Sequence, residues 1–137
     1  MSDFYNFVKN FFSTDESIDN TKYSTVGHEF RFSTDNAEGI YWFYEGDNFT
    51  IDIYDVFIKK EIIHTSFSGL NNFYSLYSSY LVTANGECFN PYQNLSSNSL
   101  FTINTKNSKD YRFILHKNSP YLGIGINFNQ SMIEQCM

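Results

Sequence analysis

Hydrophobic and polar residues alternate along much of the chain, most clearly within residues 40–67, IYWFYEGDNFTIDIYDVFIKKEIIHTSF. From residue 49 onward, large apolar residues occupy every second position and other residues lie between them: Phe49, Ile51 and Ile53, with Thr50, Asp52 and Tyr54. This period of two predicts a half-buried β-strand. The triplet Gly46-Asp47-Asn48 has the composition of a tight turn, so we expect strands 39–45 and 49–58 to form a β-hairpin.

Short alternating runs separated by turn residues continue to residue 128. One run covers 28–34 and another covers 73–83, and Asn85-Gly86 is a strong turn signal after the second. Gly123 and Gly125 in the last run fall on the same face of the predicted strand, which therefore lacks side chains at these two positions. About eight short strands at regular spacing predict a mainly β domain over 26–128, either a barrel or a sandwich.

The two ends of the chain change to a helical period. Residues 3–12 place Phe4, Phe7, Val8, Phe11 and Phe12 on one stripe, and Ser2 or Asp3 can cap that helix. This helix has two interpretations, a contact with another subunit or domain and a cover over the sheet. A polar stretch then reads as a linker, so we assign residues 1–25 to the helix and linker.

The last segment, residues 129–137, predicts the start of a second helix. Ser131 and Glu134 have the spacing of a capping box, and an apolar stripe begins after the cap: Met132, Ile133, Cys136 and Met137. The chain stops without a helix terminator. We therefore expect this chain to be the first part of a longer protein.

Composition and charge exclude several function classes. The chain of 137 residues fits one domain, and its 15 acidic against 9 basic residues give a net charge of -6. We expect no nucleic-acid binding by this segment alone, because a basic surface is missing. No secretory signal and no membrane-spanning run is recognisable, and Cys88 and Cys136 are expected to be thiols, so we expect a cytoplasmic protein.

Signals for catalysis or metal binding are weak. A metal-dependent barrel enzyme of the cupin type needs a His-x-His pair with a carboxylate nearby, whereas His28, His64 and His116 stand apart in the sequence. No phosphate-binding loop, nucleophile elbow or Cys–His signature is present. We therefore expect no catalytic residues, no metal, no cofactor and no enzymatic activity.

Aromatic residues on the predicted strands are the best candidates for ligand contacts. Such amphipathic rings can line a pocket or simply fill a barrel core: Trp42, Tyr44, Tyr54, Phe73, Tyr77, Tyr80 and Tyr111. Arg112 lies in a strand between two aromatic residues, where its charge needs an acidic partner or an anionic ligand. The acidic candidates are Asp52, Asp55 and Glu45.

Several stretches together resemble a known family. They are EGDNFTIDIYDVFIKKEI, the FYSLYSSY run, the block from NGECFNPY to YLGIGINF, and the closing NQSMIEQCM. In this order they are similar to the N-terminal regulatory domain of AraC-family transcription regulators, in particular the firmicute members. The resemblance covers roughly residues 38–137, and it is a pattern of strands and turns.

The resemblance implies a double-stranded β-helix (cupin-like) barrel with a small-molecule cavity. It further implies a homodimer formed through the C-terminal helical segment, with Met132, Ile133 and Cys136 in that contact. DNA binding would belong to a C-terminal domain that this chain does not contain. The expected ligand contacts are Trp42, Tyr44, Tyr54, Tyr77 and Arg112, and the first helix could serve as an arm or cover.

Three other interpretations remain open. The barrel could be filled by its own aromatic side chains and serve only in dimerisation. It could be a metal-dependent enzyme that uses His64 and His116. It could also be a secreted carbohydrate-binding sandwich with a Cys88–Cys136 disulfide.

Overall fold

The computed structural model describes residues 2–64, 73, 76–89, 92–104 and 112–129. Within these ranges the chain forms one helix and eleven strands. Their bounds are α1 (Asp3–Phe12), β1 (Glu16–Ser17), β2 (His28–Ser33), β3 (Ala37–Glu45), β4 (Phe49–Ile58), β5 (Ile62–His64), β6 (Leu76–Thr83), β7 (Asn85–Phe89), β8 (Gln93–Ser96), β9 (Ser99–Asn104), β10 (Arg112–Leu115) and β11 (Ser119–Phe128). No helix in the described part of the chain is long and apolar enough to cross a membrane.

The strand pairing defines the fold. One sheet has the order β1-β2-β3-β4-β11-β6-β9, and the other has the order β5-β10-β7-β8. Strands pair from the outside of the series inward, β4 with β11, β5 with β10, β6 with β9 and β7 with β8, each antiparallel. A two-stranded antiparallel ribbon wound into a helix gives this pairing. The predicted mainly β fold, a double-stranded β-helix barrel of the cupin type, is therefore confirmed.

The hairpin formed by β3 and β4 begins and ends close to the predicted positions. Its turn is closed by the backbone N–H of Gly46, which donates to the carbonyl of Phe49 at 2.8 Å. The alternation along β4 is also present, but the buried face is the polar one. Thr50 and Asp52 are 0% and 2% exposed, whereas Ile51 and Ile53 lie on the outer face of the sheet and are half-buried.

Helix α1 has the predicted bounds and packs on the inner face of the large sheet. The Ser2 hydroxyl caps it by accepting a hydrogen bond from the backbone N–H of Tyr5 at 3.0 Å. Phe4 packs edge-on against Phe43 and Phe73, with ring centroids 5.0 and 5.5 Å away. Of the two interpretations of this helix, the structure shows the cover over the sheet.

The stretch after α1 that was predicted as a linker is held against the large sheet. It contains β1, which pairs with β2, and residues 20–27 then cross the outer face of the sheet. The buried carboxylate of Glu29 accepts hydrogen bonds from the backbone N–H groups of Lys22 and Tyr23. These hydrogen bonds fasten the segment to the sheet, so it is not a free connection.

The attachment of α1 can be tested with two phenylalanines on its apolar stripe. Phe4 is 5% exposed and Phe11 is 62% exposed. We expect Phe4→Ala to lower the free energy of unfolding by about 3 to 5 kcal/mol, because it leaves a cavity in the core. Phe11→Ala should lower it by less than about 1 kcal/mol. Urea unfolding of both variants measures the difference, and equal losses would contradict the described packing of α1.

Candidate ligand cavity

A cavity of about 350 Å³ lies between the two sheets and beneath α1. Both sheets and the helix contribute to its wall, and α1 alone contributes five side chains. The described residues that line the cavity are Phe4, Phe7, Val8, Phe11, Phe12, Phe32, Ala37, Tyr41, Tyr54, Val56, Ile58, Ile62, Tyr77, Leu95, Phe101, Phe113, Leu115 and Tyr121. The volume is in the range of small-molecule sites.

The wall of the cavity is aromatic and aliphatic. Eleven of the eighteen described lining residues are phenylalanine or tyrosine, and none of the eighteen carries a formal charge. Four tyrosines, Tyr41, Tyr54, Tyr77 and Tyr121, supply its hydroxyl groups. This is the composition of a site that binds mainly by apolar contact, with a few polar groups to orient the ligand.

Behind these tyrosines lies the buried carboxylate of Asp52. The Tyr41 hydroxyl donates to its Oδ2 at 3.0 Å, and the Tyr77 hydroxyl donates to its Oδ1 at 3.5 Å. The backbone N–H of Gly125 and the side chain of Asn127 also donate to Asp52. Because these donors come from β3, β6 and β11, the carboxylate of β4 joins four adjacent strands of the large sheet.

Two residues of β11 complete the surroundings of Asp52. A Cβ atom on Gly125 would lie 2.7 Å from Asp52 Oδ1 and 2.7 Å from the Tyr77 ring, so only glycine leaves room for both. The amide of Asn127 is buried, and its Oδ1 has no hydrogen-bond partner among the described residues. Turning this amide over would present its oxygen to Asp52, so the site can pair with either protonation state of the acid.

Burial changes the acidity of this cluster. The loss of water around Asp52 raises its pKa from 3.8 to about 7, although the hydrogen bonds from Tyr41, Asn127, Tyr77 and Gly125 act in the opposite direction. Burial also raises the pKa of Tyr41, Tyr54 and Tyr77 well above the usual value, and the nearby Asp52 charge adds to that rise. The tyrosines therefore stay neutral near pH 7, while Asp52 exchanges a proton there.

The structure separates the predicted ligand contacts into two groups. Tyr54 and Tyr77 line the cavity, as the prediction requires. Trp42 and Tyr44 lie on the opposite face of β3, so the expectation that they face the cavity is wrong. The Trp42 indole instead donates to the carbonyl of Ser24 at 2.8 Å, and Tyr44 is 37% exposed on the outside. Ligand contact by Tyr54 and Tyr77 stays a prediction.

Arg112 also lies away from the cavity wall. It is exposed at the start of β10, opposite Phe89 of β7, and it does not reach any of the three acids that were considered as partners. Asp52 is bound to the tyrosines, Asp55 to Lys22 and Tyr23, and Glu45 to Ser2. Successive side chains of a strand point to opposite faces of the sheet. Phe113 lines the cavity, so its neighbour Arg112 lies on the outer face.

Other predictions concern residues that the structure places elsewhere or does not describe. Phe73 packs against Phe7 with ring centroids 5.4 Å apart, and Tyr80 is exposed on the outer face of β6. Tyr111 and the proposed dimer contacts Met132, Ile133 and Cys136 lie outside the described residues. The sequence analysis did not single out Tyr41 or Tyr121, although Tyr41 faces Tyr54 across the predicted hairpin.

The described histidine and cysteine side chains do not form a cluster at the cavity. His28 pairs with Glu16 at 3.0 Å, and His116 pairs with Glu61 at 3.1 Å on another part of the barrel. The side chain of His64 lies outside the description. In the described ranges no three His, Cys, Asp or Glu side chains come together as a metal site. Cys88 is a buried thiol whose pKa burial raises to about 11.

Comparison with known proteins supplies structural neighbours only. No protein-family model matches the chain, and no curated protein matches it. Similar solved structures include plu4264 from Photorhabdus luminescens, with a TM-score of 0.46 and 10% identity over 88% of this chain and 90% of that one. Ectoine synthase from P. lautus has a TM-score of 0.45 and 9% identity over 77% and 75% of the two chains. KdgF from Halomonas sp. has a TM-score of 0.43 and 7% identity over 88% and 92%.

These neighbours correct one expectation. The expectation from the sequence that the chain is not an enzyme is wrong as an exclusion, because a protein named as a synthase is among the similar structures. At identities of 7 to 10% the likeness concerns the fold alone and assigns no reaction to this chain. What the cavity does has to be argued from its own residues.

The acidity of Asp52 predicts how stability depends on pH. Its pKa is 3.8 in the unfolded chain and about 7 in the folded protein, so the folded state binds the proton more tightly between these values. Stability should therefore fall as pH rises from about 4 to 7, by on the order of 4 kcal/mol for this group, and level off above pH 7.

Chemical denaturation of the wild type and Asp52→Asn across pH 4 to 8 measures this contribution. We expect the difference in unfolding free energy between the two proteins to change over that interval, in favour of the variant at higher pH. Asp47→Asn, in the exposed turn between β3 and β4, is the matched control and should follow the wild type. A constant difference between Asp52→Asn and the wild type would contradict the raised pKa.

Proposed function

We propose that this protein is a small-molecule-binding barrel that takes its ligand in the cavity beneath α1. In the AraC-type interpretation it is the effector-sensing domain of a transcription regulator, a homodimer that contacts DNA through a further domain. The single observation that supports ligand binding is the cavity of about 350 Å³, whose described wall is mostly apolar and carries tyrosine hydroxyls.

The cavity favours ligand binding over the interpretation of a barrel filled by its own side chains. A self-filled barrel core is packed about as densely as a crystal of small organic molecules, with few voids larger than a water molecule. Aromatic side chains that border a space of this size lack packing contacts on that side. A ligand of matching shape would recover those contacts.

Helix α1 offers a route by which a bound ligand can be sensed. Five of its side chains line the cavity. Two hydrogen bonds tie the N-terminal end of α1 to the barrel, from the Ser2 hydroxyl to Glu45 at 2.7 Å and from the Tyr5 hydroxyl to Glu16 at 2.9 Å. A ligand that binds better with α1 in one position than in another shifts the protein toward that position. Such a shift is what a sensing domain has to transmit.

The cavity can be tested by filling it from one strand. Ile62 of β5 lines the cavity, whereas its neighbour Ile63 is 57% exposed on the other face of the same strand. We expect Ile62→Trp to weaken binding of the neutral fluorescent probe N-phenyl-1-naphthylamine by at least about tenfold, because the new ring occupies the ligand space. Ile63→Trp should bind like the wild type.

Saturable fluorescence enhancement at one site per chain measures the affinity of each protein. Circular dichroism and thermal unfolding establish that both variants are folded. The proposal is overturned if the wild type shows no saturable binding, or if the two tryptophan variants bind the probe equally well.

A further inference from the structure

We propose that the ligand is an organic cation, an amine or quaternary ammonium group with apolar substituents, held against the tyrosines in front of Asp52. This inference rests on the proposed ligand-binding function and adds the chemical class of the ligand. It is carried by the geometry of the tyrosines and by the distribution of charge around the cavity.

The rings of three of the four tyrosines contact one another in a row, and the fourth lies beside them. The ring centroids of Tyr41 and Tyr54 are 4.6 Å apart, and those of Tyr54 and Tyr121 are 6.2 Å apart with the rings nearly perpendicular. Tyr77 joins them through the carboxylate it shares with Tyr41. Aromatic rings set at angles beside one volume can offer more than one π face to the same bound group, and π faces attract ammonium ions.

Hydrogen bonding to Asp52 strengthens that attraction. A phenol that donates its proton to a carboxylate gains electron density on its oxygen and ring. Tyr41 and Tyr77 both donate to Asp52, so their rings carry part of its negative charge toward the cavity. A positive group in the cavity therefore meets the tyrosines and, behind them, the carboxylate itself.

The carboxylate has no cation of its own among the described residues. The ion pairs there involve Lys9, Lys22, His28, Arg31, Lys59 or His116, and none of these cations reaches Asp52. The described cavity wall carries no charged residue either. Burying an ionised carboxylate without a counter-ion costs free energy. A cationic ligand would supply that counter-ion.

The groups that face Asp52 are tyrosines and one amide. Two other acids of the large sheet, Glu45 and Glu16, have hydrogen-bond partners of their own. Tyr41, Tyr54, Tyr77, Tyr121 and Asn127 face it from β3, β4, β6 and β11. Farther out, Glu45 accepts a hydrogen bond from Ser2, and His28 pairs with Glu16. An anionic ligand would meet a like charge when Asp52 is ionised, and a neutral ligand would not supply the ionised carboxylate with a counter-ion.

Binding of a cation should also release a proton. A positive charge near Asp52 favours its ionised form, so it lowers the raised pKa of this acid. The affinity of a cationic ligand should then rise with pH up to about 7 and become constant above it. A neutral ligand of the same shape should show no such dependence.

Choline and 3,3-dimethylbutan-1-ol provide a matched pair of probes, because they have the same shape and differ in the charge on the central atom. Isothermal titration calorimetry or competition with N-phenyl-1-naphthylamine gives both affinities at pH 8. We expect the wild type to bind choline at least about tenfold more tightly than the alcohol. In Asp52→Asn the preference should fall toward one, while Asp47→Asn keeps the preference of the wild type.

A pH series on the wild type keeps the test decisive if Asp52→Asn does not fold. Choline affinity that rises between pH 5.5 and 7 against constant affinity for the alcohol supports the inference. Equal or tighter binding of the alcohol in the wild type, with the naphthylamine probe still bound, overturns the cation inference and leaves the proposed function standing. Absence of binding by all three probes overturns both.

Discussion

The carboxylate of Asp52 is the constraint around which the inner face of the large sheet is arranged. It sits on β4 and accepts hydrogen bonds from β3, β6 and β11, so four neighbouring strands depend on one ionisable group. Its neighbours follow from that position. Gly125 is without a side chain because the carboxylate and the Tyr77 ring take its space. Tyr41 and Tyr77 turn their hydroxyls toward Asp52, and their rings line the cavity.

The outer face of the same sheet explains why the sequence predicts the fold well and the site poorly. Turn residues and alternation locate α1, the β3–β4 hairpin and a barrel of short strands, because these depend on local chemistry. Which face points inward depends on the whole sheet. Here the outer face is apolar too, with one row of register partners running across five strands: Trp42, Ile53, Ile124, Tyr80 and Leu100.

The choice between Tyr41 and Trp42 shows the consequence. Both are large aromatic residues next to each other on β3, and alternation alone places one inside and one outside. Residues 20–27 cover Trp42 on the outer face of the sheet. Trp42 is therefore buried although it does not lie in the core between the two sheets. Along β4 the period of two is correct, but the inner face cannot be identified from it. Asp52 lies between Ile51 and Ile53, so the pattern alone assigns its face to solvent, whereas in the structure that face is buried.

The same arrangement gives the cavity its chemical character. Covering by α1 makes the space apolar, and Asp52 makes its inner end negative without placing a charge on the wall. The fold alone does not choose between ligand binding and catalysis. The protonation of Asp52 matters to either function, because it sets the charge that a bound molecule meets.

The most direct test of this account is the pKa of Asp52 in the folded protein. Carbon-13 NMR of the side-chain carboxyl, assigned by comparison with Asp52→Asn, follows the titration of this single group from pH 3 to 9. We expect a midpoint of about 7 in the absence of ligand. A midpoint near the usual value of 3.8 would mean that Asp52 is well solvated or paired with a cation, and the arrangement described for the cavity would be wrong.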